Sequence, residues 1–260
     1  MFRKIATGAA VAAASAGLLL AGSASASVNL VKNGGFEING GPGQVNGPTT
    51  LAFWNAKPAN KNYDFLFKPA AGASGTDADT TGVLAASGQT IKLWGPGDGS
   101  ANGLTLSPDG GYFLAIDPVY HMNGPLTQTI SGLTKGFKYN LTFNFAGAQQ
   151  KPYKGITTEG WDVTFGSSTQ STSTLTNPSK GFTGWNTAMM SFVAGAATQD
   201  LKFLATGGPK ATLPPFALLD GVSLTRAGVP EPASWALMIL GFGGVGAMVR
   251  SRRRQAILST

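Results

Sequence analysis

Between Lys138 and Phe145 the chain alternates strictly. Tyr139, Leu141, Phe143 and Phe145 fall on one side of an extended backbone, and Asn140, Thr142 and Asn144 on the other. Successive strand side chains point to opposite faces, so this run buries its aromatic row only as a strand with one face on a core. A helix would scatter the same residues around its circumference. The run therefore commits its neighbourhood to a sheet and calls for a second layer to cover the aromatic row.

Other segments supply that layer. Candidate strands are Val28 to Val31, Leu51 to Trp54, Tyr63 to Phe67, Thr90 to Leu93, Tyr112 to Asp117, Leu126 to Ile130, Trp161 to Phe165, Thr187 to Val193, Asp200 to Leu204 and Phe216 to Leu224. Turn formers separate them, including Asn33-Gly34-Gly35 and Gly95-Pro96-Gly97-Asp98-Gly99. Tyr112 to Asp117 is mostly apolar without alternation, as expected of a strand buried on both faces. Leu126 to Ile130 and Lys138 to Phe145, with Gly132 and Gly136 between them, read as a hairpin or adjacent strand pair. Gly72 to Gly88, with Asp77 and Asp79, reads as a loop around one short strand. No stretch keeps helical spacing over three turns, and the spacing of the strands predicts an all-β fold: an antiparallel β-sandwich or jelly roll.

Both ends of the chain read as addresses. Met1 to Ala26 has Arg3 and Lys4, an apolar run from Ala9 to Ala21, and Ala24-Ser25-Ala26 as a small-residue cleavage site, which is the layout of a secretory signal peptide. At the other end Val229 to Arg254 begins with the rigid Pro230-Glu231-Pro232. It continues through Trp235 and an almost uncharged run, Ala233 to Val249, and closes on Arg250, Arg252, Arg253 and Arg254. As a transmembrane helix, residues 233–249 reach roughly 25 Å, the short end of what spans a hydrocarbon core, with the arginines as its cytoplasmic flank. Residues 255–260 form a short tail. Gly241-Phe-Gly243-Gly-Val-Gly246 fits a dinucleotide-binding pattern, but it lacks the preceding strand and the downstream acid that such a site needs.

The charge follows from these addresses. Of the formal net charge of +7, Arg3, Lys4, the four arginines and Glu231 together account for +5. The exported region, 27–228, holds only +2 with scattered lysines, so nucleic acid is not an expected partner. That region is about 200 residues, enough for one β domain with its own core. Cysteine is absent, which removes disulfides and thiolate metal sites and leaves the core, with a hard metal ion, to hold the fold.

The C-terminal residues closely resemble the PEP-CTERM sorting signal, in its variant with Trp-Ala after the PEP motif. Pro230, Glu231, Pro232, Trp235, Ala236, Leu240-Gly241-Phe242-Gly243 and the arginine cluster carry the likeness. The resemblance implies recognition by an exosortase, a membrane transpeptidase-like enzyme, and removal of the tail during export. It further implies a Gram-negative host that builds exopolysaccharide, with the inner membrane as an intermediate stop before the cell surface or extracellular matrix. The tail after the arginines departs from the usual position of the signal.

A second resemblance covers the exported region. Asn29 to Glu37, Leu126 to Ile130, Gly132-Leu133, Tyr139 to Phe145 and Leu218-Leu219-Asp220-Gly221-Val222 are similar to galactose-binding-like jelly rolls, which include many carbohydrate-binding modules. In such folds a metal often ties the N-terminal strand to the last one. The matching positions for a structural calcium ion are Glu37 and Asp220, with turn or strand-end hydrogen bonds as the other reading of both carboxylates.

Residues that could act on a ligand are few. His121 is the only histidine and reads as a loop residue. There is no G-x-S-x-G elbow, and zinc chemistry lacks its ligands. A glycosidase needs two carboxylates roughly 5–10 Å apart, and Asp64, Asp117, Glu159 and Asp162 show no spacing that singles out a pair. Sugar binding needs an aromatic surface with amides nearby. Trp54, Trp94, Tyr120, Tyr153, Trp161 and Trp185 are the candidates, beside Gln149 and Gln150, and Trp94 and Tyr153 are the ligand-binding choice because Gly/Pro-rich loops flank them. The sequence thus predicts an exported, non-enzymatic surface or matrix protein associated with extracellular polysaccharide, with a secreted glycan hydrolase as the alternative.

Overall fold

The structure is a computed structural model of the chain. It describes residues 27–58, 61–67, 91–96, 100, 102–119, 124–209, 213–228 and 240–242. Ser27–Gly228 forms one compact unit. The signal peptide with Ala24 and Ala26, the sorting residues Pro230, Glu231, Pro232, Trp235 and Arg250 to Arg254, and Asp77, Asp79, Tyr120 and His121 lie outside the described residues. Of the expected transmembrane helix only Leu240 to Phe242 are described, and they are helical. Among the described residues no helix is long and apolar enough to cross a membrane.

The strands are β1 (Gly43–Gln44), β2 (Asp64–Phe67), β3 (Lys92–Leu93), β4 (Phe113–Ile116), β5 (Leu126–Ser131), β6 (Lys138–Lys151), β7 (Thr157–Phe165), β8 (Ser168–Ser171), β9 (Leu175–Asn177), β10 (Asn186–Val193), β11 (Thr198–Gly208) and β12 (Pro215–Arg226). One sheet runs β1-β2-β4-β12-β6-β10, with β3 added to β6. The other runs β5-β11-β7-β8, with β9 added to β7. Every pairing is antiparallel. This is the all-β sandwich that the alternation predicts.

The inner faces of the two sheets close on each other. Tyr139, Leu141, Phe143 and Phe145 of β6 meet Trp161, Val163 and Phe165 of β7 and Leu201, Phe203 and Ala205 of β11 in one core. Each large side chain removed from water contributes about 1.5–3 kcal/mol, so the period-two register of these strands is strongly fixed. A second core covers the outer face of the first sheet. There Phe65, Phe67, Phe113, Ala115, Ala146, Ala148, Phe216 and Leu218 pack against Ile91, Leu93 and Leu104. Being covered on both sides, β2 and β4 are fully buried, which is why Tyr112 to Asp117 lacks alternation.

Three strand expectations are corrected. Leu126 to Ile130 and Lys138 to Phe145 form no hairpin: β5 pairs β11, whereas β6 pairs β12 and β10 in the opposite sheet. The connection crosses between sheets because both strands carry core-facing rows. It is pinned to the β10–β11 crossing by Leu133 N–H to Ala197 O (3.0 Å) and Gly136 N–H to Ala194 O (2.7 Å). Val28 to Val31 is not a strand, although Leu30 N–H donates to Leu224 O at 2.9 Å. Leu51 to Trp54 is a bridge and a turn, with Phe53 at a φ of +70°.

Candidate ligand and metal sites

The carboxylate of Asp220 is set by a bulge. Along β12, Phe216 and Leu218 face the outer core, Ala217 and Leu219 the inner one. Asp220 stands opposite Asn144 and Ser223 opposite Thr142, so β12 carries one extra residue there. Gly221 takes a φ of +59°, and Val222 N–H donates to Gly34 O at 3.0 Å. The Asn33-Gly34-Gly35 turn is thereby pressed against β12. A Cβ on Gly34 would overlap the Val222 carbonyl, and one on Gly35 would crowd the Asp109 carboxylate.

Asp220 is fully buried, and neither of its Oδ atoms completes a hydrogen bond. Burial pushes its pKa up to about 8. The Ser107 hydroxyl and Gly221 amide lie close enough to oppose the shift, while Asp109 and Glu37 add to it. Glu37 is exposed; its Oε1 accepts Tyr112 N–H at 2.6 Å, against Gly111. The structure therefore places the two expected metal residues at one end of the sandwich and adds Asp109 beside them. Asp109 lies in a Pro-Asp-Gly-Gly turn that sequence reasoning missed, since nothing along the chain links that turn to the first and last segments.

Do these residues fit a calcium ion? The oxygen donors suit it, and a buried carboxylate without partners calls for a cation or a proton. Among the described residues no three His, Cys, Asp or Glu side chains gather closely enough to hold a metal by themselves. An ion here would draw main-chain oxygens as well.

A different surface surrounds Tyr153. Trp94 is 6% exposed, which corrects the expectation that it lies open on a loop, whereas Tyr153 is 40% exposed. The buried indole donates its Nε1–H to the Tyr153 carbonyl at 2.6 Å. The ammonium groups of Lys180 and Lys151 stand 4.8 and 5.6 Å from its ring centroid, within cation–π range. Lys92 is the register partner of Lys151, and Lys154 follows Tyr153 on the surface. Lys151 and Lys180 thus come together at Trp94, beside the strand position of Lys92, although along the sequence these lysines look scattered. Gln149 and Gln150, expected to take sugar hydroxyls, are buried. Gln149 instead donates to Gly155 O and accepts Lys180 N–H.

The other candidate tryptophans are committed to packing. Trp54 and Trp161 are buried, Trp161 donating its Nε1–H to Leu218 O at 3.1 Å. Trp185 rests on Phe113 and Phe182. Of the carboxylates weighed for hydrolysis, Asp64, Asp117 and Glu159 are buried, and Asp162 accepts the Ser171 hydroxyl at 2.6 Å.

Comparison with known proteins identifies the C-terminus. Residues 228–254 match the PEP-CTERM protein-sorting motif. No curated protein matches the chain. Similar solved structures include TmCBM61 in complex with beta-1,4-galactotriose, at 15% identity and a TM-score of 0.38 over 77% of this chain and 100% of that one. A CBM4 structure gives 15% and 0.32 over 75% and 99%. The CBM22-2 xylan-binding domain of Paenibacillus barcinonensis Xyn10C gives 13% and 0.31 over 63% and 99%. These are carbohydrate-binding modules with a β-sandwich fold.

Proposed function

We propose that Ser27 to Gly228 is a non-catalytic polysaccharide-binding domain, delivered to the cell surface or matrix by exosortase processing near Val229 to Pro232. The chain carries a sorting signal and a β-sandwich, which supports a domain that works outside the cytoplasm. The observation that supports binding is the exposed Tyr153, whose carbonyl holds the Trp94 indole that Lys151 and Lys180 approach, with Lys92 opposite Lys151 and Lys154 next along the chain. An aromatic face takes the apolar side of a pyranose, and ammonium groups draw carboxylate or sulfate substituents over a Debye length of about 10 Å. The favoured ligand is therefore an acidic extracellular polysaccharide.

A calcium ion held by Asp220 with Glu37, Asp109 and main-chain oxygens would tie the Asn33-Gly34-Gly35 turn to the last strand. In that role it is structural and distant from the chemistry of binding. The test of function is retention of residues 27–228 on immobilised acidic and neutral polysaccharides at two salt concentrations. Retention on the acidic polymer alone, lost at high salt and in Lys151→Gln/Lys180→Gln, supports the reading. Equal failure to bind both polymers would overturn it.

A further inference from the structure

β7 turns Thr157, Glu159 and Trp161 into the sandwich, and all three are essentially unexposed. Trp161 is satisfied by Leu218 O. The two residues before it are not. Both Oε atoms of Glu159, the Oγ1 of Thr157 and both amide atoms of Asn177 complete no hydrogen bond. Asn177 ends β9 and is the register partner of Thr157, so these five unsatisfied atoms share one sealed place.

The surrounding backbone leaves room for them. A Cβ on Gly147, across in β6, would overlap the Glu159 carboxylate, and a Cβ on Gly181 would overlap Asn177 Oδ1 and the Pro178 carbonyl. Gln149, the next inward residue of β6, is already engaged with Gly155 and Lys180. Among the described residues no ammonium or guanidinium pairs with Glu159. Burial raises its pKa to about 8, with Thr157 and Asn177 near enough to oppose the shift in part.

A buried polar group without a partner costs free energy, and an ionised carboxylate costs far more. Hydroxyl, amide and carboxylate oxygens are the hard donors that calcium takes, in the variable geometry it tolerates, and the Pro178 carbonyl lies on the same side of Gly181 as Asn177 Oδ1. Cysteine thiolates are absent from the chain. We propose that Glu159, Asn177 and Thr157 form a second cation site, separate from the Asp220 cluster, that holds calcium between the two sheets. The ion would fasten β7 and β9 to β6 beneath the surface that carries Lys180.

Metal content of residues 27–228 decides the matter, because this unit closes both of its cores within itself. After dialysis against calcium, Glu159→Gln should hold one ion fewer than the unaltered domain, and Asp220→Asn should still hold the ion that Glu159→Gln loses. Terbium offers a local readout: Trp161 lies two residues from Glu159 on the same face of β7, so its indole should sensitise the lanthanide in Asp220→Asn but not in the double variant. Glu159→Gln is neutral and nearly isosteric, so it should fold and melt no lower than the unaltered domain in chelator, yet gain less from calcium. Equal calcium content and equal calcium-dependent melting shifts in Glu159→Gln and the unaltered domain would overturn the proposal. So would stabilisation by sodium or potassium with none by calcium.

Discussion

The indole N–H of Trp94 donates to the main-chain carbonyl of Tyr153 at 2.6 Å, so a buried ring fixes the position of an exposed one. The division of labour separates two substitutions. Trp94→Phe removes the donor and keeps most of the packing, and it should cost about 1–2 kcal/mol of stability. Tyr153→Ala removes only exposed surface and should stay within about 0.5 kcal/mol of the parent. In polysaccharide binding the order reverses in kind: Tyr153→Ala should weaken it by roughly tenfold, about 1.4 kcal/mol, without changing the melting temperature. Denaturant titration beside affinity electrophoresis reads both. A Tyr153→Ala domain that binds as well as its parent would remove the ring from the site.

Asp64 should make the domain less stable as pH rises. It is 2% exposed, and its Oδ1 has no hydrogen-bond partner. Burial pushes its pKa up to about 7; the Tyr63 backbone bond and the Lys57 charge oppose this, and Asp117 adds to it. The unfolded chain releases this proton near pH 3.9. Between about pH 4 and 7 the native state holds a proton that the unfolded state has lost, so stability falls through that window and levels above it. The size is of the order of 4 kcal/mol at most, at 1.36 kcal/mol per pH unit. Asp64→Asn should flatten that part of a urea-midpoint profile and raise stability at pH 8. An unchanged slope in the variant would assign the titration elsewhere.

How much of this was written in the sequence depends on the distance over which residues act. The Tyr139 to Phe145 row and the fully apolar Phe113 to Ile116 strand were legible because a strand's own alternation reports its faces. The partner of each strand was not. Leu126 to Ser131 and Lys138 to Lys151 are neighbours along the chain yet belong to opposite sheets, since register is set by the distant strands that complete their hydrogen bonds. Glu37 and Asp220 were found through a resemblance, whereas Asp109 and Ser107 come from a loop that only the fold carries to them. Trp94 misled for a physical reason: Gly/Pro-rich flanks mark a loop but do not say whether lysine stems and Asn102, whose Nδ2 donates to Trp94 O at 2.7 Å, will close over the ring.

The contact between the two sheets rests on Phe203. Its ring lies edge-on to Phe143 at 5.1 Å and to Trp54 and Trp161 at 6.1 Å each. Phe203→Ala would leave a cavity that the three neighbouring rings cannot close by small shifts, at a cost of about 3–5 kcal/mol. Phe203→Leu should lose less than half of that. Equilibrium unfolding in urea gives both values, and a loss below about 1 kcal/mol for the alanine variant would mean that the core relaxes around the gap.

The junction of Gly34 with Val222 carries the last expectation, because it links calcium to the fold. Gly34 O accepts Val222 N–H, and the glycine leaves no room for a side chain against the Val222 carbonyl. Gly34→Ala must push the Asn33-Gly34-Gly35 turn off β12, moving Gly35 and Glu37 away from Asp220. If an ion binds there, saturating calcium should raise the melting temperature of the parent, by an amount equivalent to about 2.7 kcal/mol at a hundredfold excess over the dissociation constant. Asp220→Asn removes the buried negative charge and should abolish that part of the shift while leaving the chelated protein as stable as before or more so. Gly34→Ala should lower stability both with and without calcium, and should narrow the gap between the two. A calcium shift that survives unchanged in Asp220→Asn would place the ion elsewhere and leave Asp220 as a protonated side chain closing a bulge.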